Sequence, residues 1–254
     1  MAPLYKTATA LCLVGLFGLQ SVAAGATKYK FKVVEVKDDV YLPIRLARNG
    51  KITAKTKDVA KDTQLVTELQ DEVEGTGEAT EATCAELIES TFKKIFHQTF
   101  DYTDTPDYPK LVEEALKTGL NAIGTTYPAQ TPTWQDIWKK KEALSVLHLL
   151  GADSTKVGCT IAKCIKSPEV DLLTEPESET PAKAVLLCEL SPAAKENEAA
   201  FSEEYFKEIS TRTTDLKSMT EEDLKDPIVT SSANAAVPTI LTACLVAILA
   251  AISA

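Results

Sequence analysis

The chain has 254 residues, 44% hydrophobic and 25% charged, with 37 acidic against 27 basic side chains and a formal net charge of −10. That balance argues against a nucleic-acid partner and against direct adhesion to anionic lipid. The length fits one folded domain with flanking segments, large enough to bury a real core.

The N-terminus, "MAPLYKTATALCLVGLFGLQSVAAGATKYK", has a basic start at Lys6 and an apolar run over Thr7 to Leu19. Val22 and Ala24 then supply the small residues of a cleavage site, so residues 1–24 are expected to be a secretory signal peptide. "TKYKFKVVEVKDD" alternates and predicts an edge strand. "DVYLPIRLARNG" predicts a helix with Pro43 in its first turn and Gly50 as its stop. "KDTQLVTELQDEVEG" carries Leu65, Leu69 and Val73 at spacing four, an amphipathic helix. After the acidic loop "EGTGEATEAT", the stretch "CAELIESTFKKIFHQTF" predicts one helix, with Cys84, Leu87, Ile88, Phe92, Ile95 and Phe96 as its apolar stripe. "KLVEEALKTGLNAIG" predicts another helix, and "TPTWQDIWKKKEALSVLHLLG" two helical stretches. "TKVGCTIAKC" and "AKAVLLCEL" predict two strands, able to pair as a hairpin across the acidic "SPEVDLLTEPESETP". "FSEEYFKEI" predicts a short helix, and the polar stretch that follows reads as a stalk over residues 211–232. Helices early and a strand pair late give an α+β domain over residues 25–210, helices packed on a small antiparallel sheet.

The C-terminus, "IVTSSANAAVPTILTACLVAILAAISA", is an apolar run preceded by small residues, with nothing basic after it. This pattern fits a glycosylphosphatidylinositol (GPI) attachment signal, with residues 233–254 removed as a propeptide. Ser231, Ser232, Ala233 and Asn234 are the attachment candidates, Ser232 preferred. Loss of both ends removes Lys6 alone among charged residues, leaving 26 basic against 37 acidic and a net charge of −11. No N-glycosylation sequon is present, because Asn49, Asn121, Asn197 and Asn234 all lack a hydroxyl residue at the second position after them.

Of six cysteines, Cys12 and Cys244 lie in the removed ends, and Cys84, Cys159, Cys164 and Cys188 remain. An even number in a secreted chain reads as two disulfides, with three possible connectivities. A Cys159–Cys164 bridge would close a tiny loop and stabilise little. Cys84–Cys159 with Cys164–Cys188 is the preferred pairing, the two loops contributing about 4 and about 3 kcal/mol by chain entropy. Strand alternation places Val157, Cys159 and Ile161 on one face, and Cys164 on the other if the strand continues, or else in the following turn; opposed facings would tie one strand to a helix upstream and a strand downstream.

No catalytic or phosphate-binding motif is present, and only two histidines, His97 and His148, exist. His97 is expected at a helix end and His148 half-buried in an apolar helix, neither a metal ligand nor a base, and no cofactor is expected. Trp134 and Trp138 share a helix face and are expected in the core. Lys139, Lys140 and Lys141 form the one dense basic run, a candidate contact for sulfated host glycans against the ordinary reading of a solvated face.

"STKVGC", the cysteine five residues on, and the later "VLLCELSP" resemble the CAP superfamily of cysteine-rich secretory, antigen 5 and pathogenesis-related proteins. The resemblance implies a three-layer α-β-α sandwich and the same pairing, Cys84–Cys159 and Cys164–Cys188. The metal-holding tetrad of that superfamily is not in this sequence: Tyr41 to Arg48 hold no histidine, the second histidine's place falls near Ser145, and Gly151 stands where Trp is common. "YLPIRLARNGKI", the helix opened by Cys84, "ADSTKVGCTIAKC" and the small-residue tail together resemble Eimeria-type coccidian surface antigens. That resemblance implies a non-enzymatic, GPI-anchored antigen on the outer plasma membrane of an apicomplexan parasite, acting in host-cell attachment and exposed to host antibodies. The alternatives are a CAP-like carrier of sterols or other small ligands, which needs an apolar groove, and an enzyme, which needs His97 and His148 clustered with a carboxylate.

Overall fold

The computed structural model describes residues 27–167 and 183–225. The expected signal peptide, the acidic stretch 168–182, and the GPI candidates Ser231, Ser232, Ala233 and Asn234 lie outside the described residues. In chain order the elements are β1 (Tyr29–Val34), α1 (Tyr41–Asn49), β2 (Ala60–Lys61), α2 (Thr63–Glu74), α3 (Ala85–Thr91), β3 (Phe96–Phe100), α4 (Tyr108–Ile123), α5 (Thr131–Ile137), α6 (Lys141–Leu150), β4 (Lys156–Lys166), β5 (Ala184–Ser191) and α7 (Glu203–Thr211).

The helices start where side chains take up orphan backbone donors. Asp62 accepts from Gln64 N and Leu65 N to open α2, Asp107 from Lys110 N to open α4, and Ser202 from Tyr205 N to open α7. The four main strands run antiparallel in the order β1-β4-β5-β3, and the short β2 lies parallel to the start of β4. The expected late hairpin is the β4–β5 pair, the longest ladder of the sheet, and the expected first strand is β1, at one edge.

Helices cover both faces of this sheet. On one face Phe96, Phe100, Val157, Cys159, Ile161, Leu186, Cys188 and Leu190 pack with residues of α1, α4, α5, α6 and α7. On the other, Phe31, Ala162, Cys164, Val185 and Leu187 pack with Leu69 and Val73 of α2 and with Cys84, Leu87, Ile88 and Phe92 around α3. Each large aliphatic or aromatic side chain so buried stabilises the fold by roughly 1.5–3 kcal/mol. Trp134 and Trp138 are both buried in the first of these clusters, as the spacing predicts. Gly158 lets α2 approach β4: a Cβ there would lie 2.6 Å from the Val66 amide nitrogen.

Three expectations are corrected. The helix expected across Cys84 to Phe100 ends at Thr91, and Phe96–Phe100 is strand β3, paired antiparallel with β5 from Phe96↔Cys188 to Phe100↔Ala184. Phe96 and Phe100 stand four apart, a spacing that serves a helix face and a strand face alike, and pairing to the distant β5 decides between them.

The second correction concerns the disulfides, which are Cys84–Cys164 and Cys159–Cys188 rather than Cys84–Cys159 and Cys164–Cys188. Cys159 and Cys164 do face opposite sides of one strand, each in a different core cluster. The antiparallel register puts Cys188 directly across from Cys159, with Cα atoms 4.1 Å apart. Cys164 lies five residues further along β4, about 17 Å at 3.4 Å per residue, beyond reach of Cys188. It faces the opposite layer, where Cys84 sits with a Cα–Cα separation of 5.9 Å.

The third correction concerns the stalk. Residues 211–225 belong to the folded unit: Leu216 and Met219 are buried, and short 3-10 turns span Leu216–Ser218 and Glu221–Leu224. Arg212 donates to the carbonyls of Leu46, Ala47 and Gly50 at the end of α1, and Lys51 N donates to Asp223 O. The domain therefore runs on past residue 210, at least through Lys225.

Candidate functional site

The buried polar groups are used for structure. Arg48, fully buried at the end of α1, donates from Nη1 to Leu149 O at 2.5 Å and from Nη2 to Lys57 O at 2.9 Å and Gly151 O at 3.0 Å. Its cation thus sits on the carbonyls at the C-terminal end of α6, where the helix dipole favours positive charge. Burial pushes the guanidinium pKa down, and the fields of Tyr205 and Asp58 offset part of this. Tyr205 donates to Arg48 O at 2.7 Å, and burial raises its phenol well above the ordinary value. Asn49 accepts from Thr56 N and donates to Thr56 O, closing the turn after α1. Ser154 donates to Pro192 O at 2.8 Å. Arg48, Asn49 and Ser154 of "ARNGKI" and "STKVGC" are therefore held by backbone groups, inside the fold.

The two histidines lie near one another but on different elements, His97 in β3 and His148 buried in α6. His97 is a strand residue, not the helix end expected. Burial lowers both pKa values, that of His148 to about 4, helped by the fields of His97 and Lys94. For His97 the backbone carbonyls of Ile95 and Phe92 offset part of the effect of burial. His148 packs edge-on against Trp138 at 5.2 Å. Among the described residues, no group of three or more His, Cys, Asp or Glu side chains is placed to hold a metal ion.

Two clefts line up along the outer edge of β3, sharing Thr99. One, about 210 Å³, is walled by His97, Gln98, Ala115, Thr118, Lys141, Glu142, Ser145 and Val146. The other, about 400 Å³, is walled by Phe100, Asp101, Thr103, Pro106, Asp107, Lys110, Leu111, Glu114 and Lys183. Most of the residues that line both clefts are polar or charged.

The basic run does not present one common face. Lys139 pairs with Asp136 at 3.0 Å, Lys140 reaches back to Ala122 O at the end of α4 at 2.8 Å, and Lys141 borders the smaller cleft beside Glu142. Sequence reasoning missed Arg48 and Arg212 as structural cations, because a charged residue read in isolation is assigned to the surface.

The result is a doubly disulfide-tied α+β domain whose buried cations and hydroxyls hold the backbone. Residues 45–224 match the family described as the sporozoite surface antigen (SAG) protein domain. The chain belongs to that family, which makes it a surface antigen and suggests a place at the cell surface. No curated protein matches it. Among solved structures, the crystal structure of a hookworm platelet inhibitor aligns with 14% identity over 68% of this chain and 80% of that one, with a TM-score of 0.39. At that level the likeness says nothing of function or fold family. Among the described residues no helix is long and apolar enough to cross a membrane.

Proposed function

We propose that this chain is a non-enzymatic surface antigen of a coccidian parasite, secreted by its signal peptide and held on the outer plasma membrane by a GPI lipid. It acts in attachment to host cells and is exposed to host antibodies. The observation that carries this reading is the family match over residues 45–224. The apolar C-terminus, preceded by Ser231, Ser232, Ala233 and Asn234, supports the anchor. Helices on both faces of an antiparallel sheet support a CAP-like sandwich, with the cysteine partners exchanged relative to the expected pattern.

The test is binding of the oxidised ectodomain to host epithelial cells, with a reduced and alkylated control. Saturable binding lost on reduction is the expected result; no binding from a folded domain overturns attachment. The anchor has its own test. Treatment of expressing cells with a phosphatidylinositol-specific phospholipase should release the antigen into the medium, and retention overturns the GPI reading.

A further inference from the structure

The chain leaves the described domain at Lys225, and several contacts fix that point. Met219 lies so close to Gly50 that a Cβ added there would meet its Sδ at 2.7 Å. Lys51 N donates to Asp223 O at 2.9 Å, and Lys55 Nζ to Leu224 O at 2.6 Å. The exit therefore sits beside the C-terminal end of α1 and the turn after it. That turn is fastened to the start of β4: Lys57 N donates to Ala152 O at 3.2 Å and Ala60 N to Thr155 O at 2.9 Å. Exit and Lys156 thus share one end of the sheet. The strand registers put Tyr29, Phe100, Lys166 and Ala184 at the opposite end. The 11 residues of β4 set those ends about 34 Å apart.

The polypeptide beyond the exit is shorter than that. Ser232, the preferred attachment residue, follows Lys225 by seven residues, which span at most about 25 Å. An inverted domain would lift the exit a sheet's length from the bilayer. The tether would then have to stretch out fully, and the lipid's glycan to span the rest, against chain entropy.

We propose that the anchored domain stands with the Lys156 end of its sheet toward the bilayer and presents the opposite end, bounded by Tyr29, Phe100, Lys166 and Ala184, to a protein of the facing cell. This rests on the GPI and attachment readings. Tether length sets the orientation, so no attraction between an acidic domain and anionic lipid is required. The outward end carries the exposed pairs Asp101–Lys183 and Lys28–Glu78. Carrying both signs, it fits a protein surface of mixed charge rather than a polyanion.

The test adds a bulky glycan at each end in turn, since the parent has no sequon. Asp101→Asn creates one with Thr103 at the outward end, and Asp153→Asn one with Thr155 at the bilayer end, both on exposed residues. The full chain is expressed on cultured cells with its own leader and tail. Lectin binding to the Asp153→Asn glycan should be at least about threefold weaker on intact cells than after phospholipase release, and that to the Asp101→Asn glycan equal in both. Adhesion to host epithelial cells should fall at least about fivefold in Asp101→Asn, stay within about twofold of the parent in Asp153→Asn, and recover in Asp101→Asn/Thr103→Ala, which carries no glycan. If Asp101→Asn folds poorly, Glu78→Asn, with Thr80, places a glycan at the same end. Equal lectin access to both glycans on intact cells overturns the orientation. Undiminished adhesion of the glycosylated outward variants overturns the contact surface. No release by the phospholipase overturns the GPI reading and the orientation with it. A parent that is released but does not adhere overturns attachment and the contact surface, and leaves the orientation to the lectin result.

Discussion

Ser145 and His97 close an edge of the sheet between them. The Ser145 hydroxyl accepts from the His97 amide at 2.9 Å and donates to the His97 carbonyl at 2.8 Å. β3 is the last strand of the ladder, so these two backbone groups face away from β5 and have no strand beside them. One side chain from α6 thus stands in for a neighbouring strand. Unpaired edge groups are templates for association with another chain, and native folds cover them.

Ser145→Ala should leave both His97 backbone groups without their partner at a half-buried site. The expected loss is about 1–3 kcal/mol of stability by urea unfolding, with faster hydrogen exchange at the His97 amide. Exchange at that amide unchanged from the parent would show that the hydroxyl does not seal the edge.

Arg48→Leu should be more severe. It removes a cation that serves the carbonyls of Leu149, Lys57 and Gly151 in the interior, and at least one of them would be left unsatisfied. A loss of about 3–5 kcal/mol is expected, visible as a large drop in melting temperature or in secreted yield. Arg48→Lys should recover only part of this, since an ammonium cannot reproduce the planar fork.

Acidification should weaken the fold through its two histidines, His148 buried and His97 half-buried. Their folded pKa values are lowered, so the unfolded chain binds more protons as pH falls below about 6.5, the ordinary histidine value. Their contribution is fully present above that pH and falls progressively as pH drops, until His148 itself protonates in the folded state at about 4. For His148 the shift corresponds to about 3 kcal/mol. Unfolding midpoints measured from pH 7 to pH 4 should show this decline, and His148→Phe should flatten it. An identical slope in that variant would assign the acid sensitivity to other groups.

Peptide mapping of the unreduced protein should recover Cys84 linked to Cys164 and Cys159 linked to Cys188. The first closes a loop of sequence separation 80, the second one of 29. Chain entropy gives these about 4.5 and about 3.6 kcal/mol. Cys84→Ser with Cys164→Ser should therefore destabilise more than Cys159→Ser with Cys188→Ser. The second pair joins strands that the β4–β5 ladder already holds side by side.

Gly158→Ala tests the approach of α2 to β4. The added methyl would meet the backbone of Leu65 and Val66, which cannot turn aside as a side-chain tip can. A loss of about 1–3 kcal/mol is expected from chemical denaturation.

What could be read locally was read well: the alternating β1 and β4, the amphipathic α2 and α4, and the opposed facings of Cys159 and Cys164. What failed depended on contacts between distant segments. The strand β3 needs β5 to exist, and the partner of Cys164 needs the β4–β5 register, which no local pattern contains. Lys139, Lys140 and Lys141 drew notice by being consecutive, yet α4 and Asp136 draw two of them to separate places. Lys32 and Lys163 are far apart in sequence and become neighbours only through the β1–β4 ladder.

The packing of residues 212–225 bears on mechanics. They are fastened to α1 and α4 by Arg212 on the carbonyls of Leu46, Ala47 and Gly50, by Leu216 N on Glu113, and by Arg45 on Glu221. A pull applied beyond Lys225 would first strip these contacts, loading the larger helical layer before the sheet. The layer of α2 and α3 would feel tension through the sheet it packs on, where Cys84–Cys164 bolts it to β4. The domain would yield from its C-terminal side first, with the two disulfides limiting how far the chain can pay out.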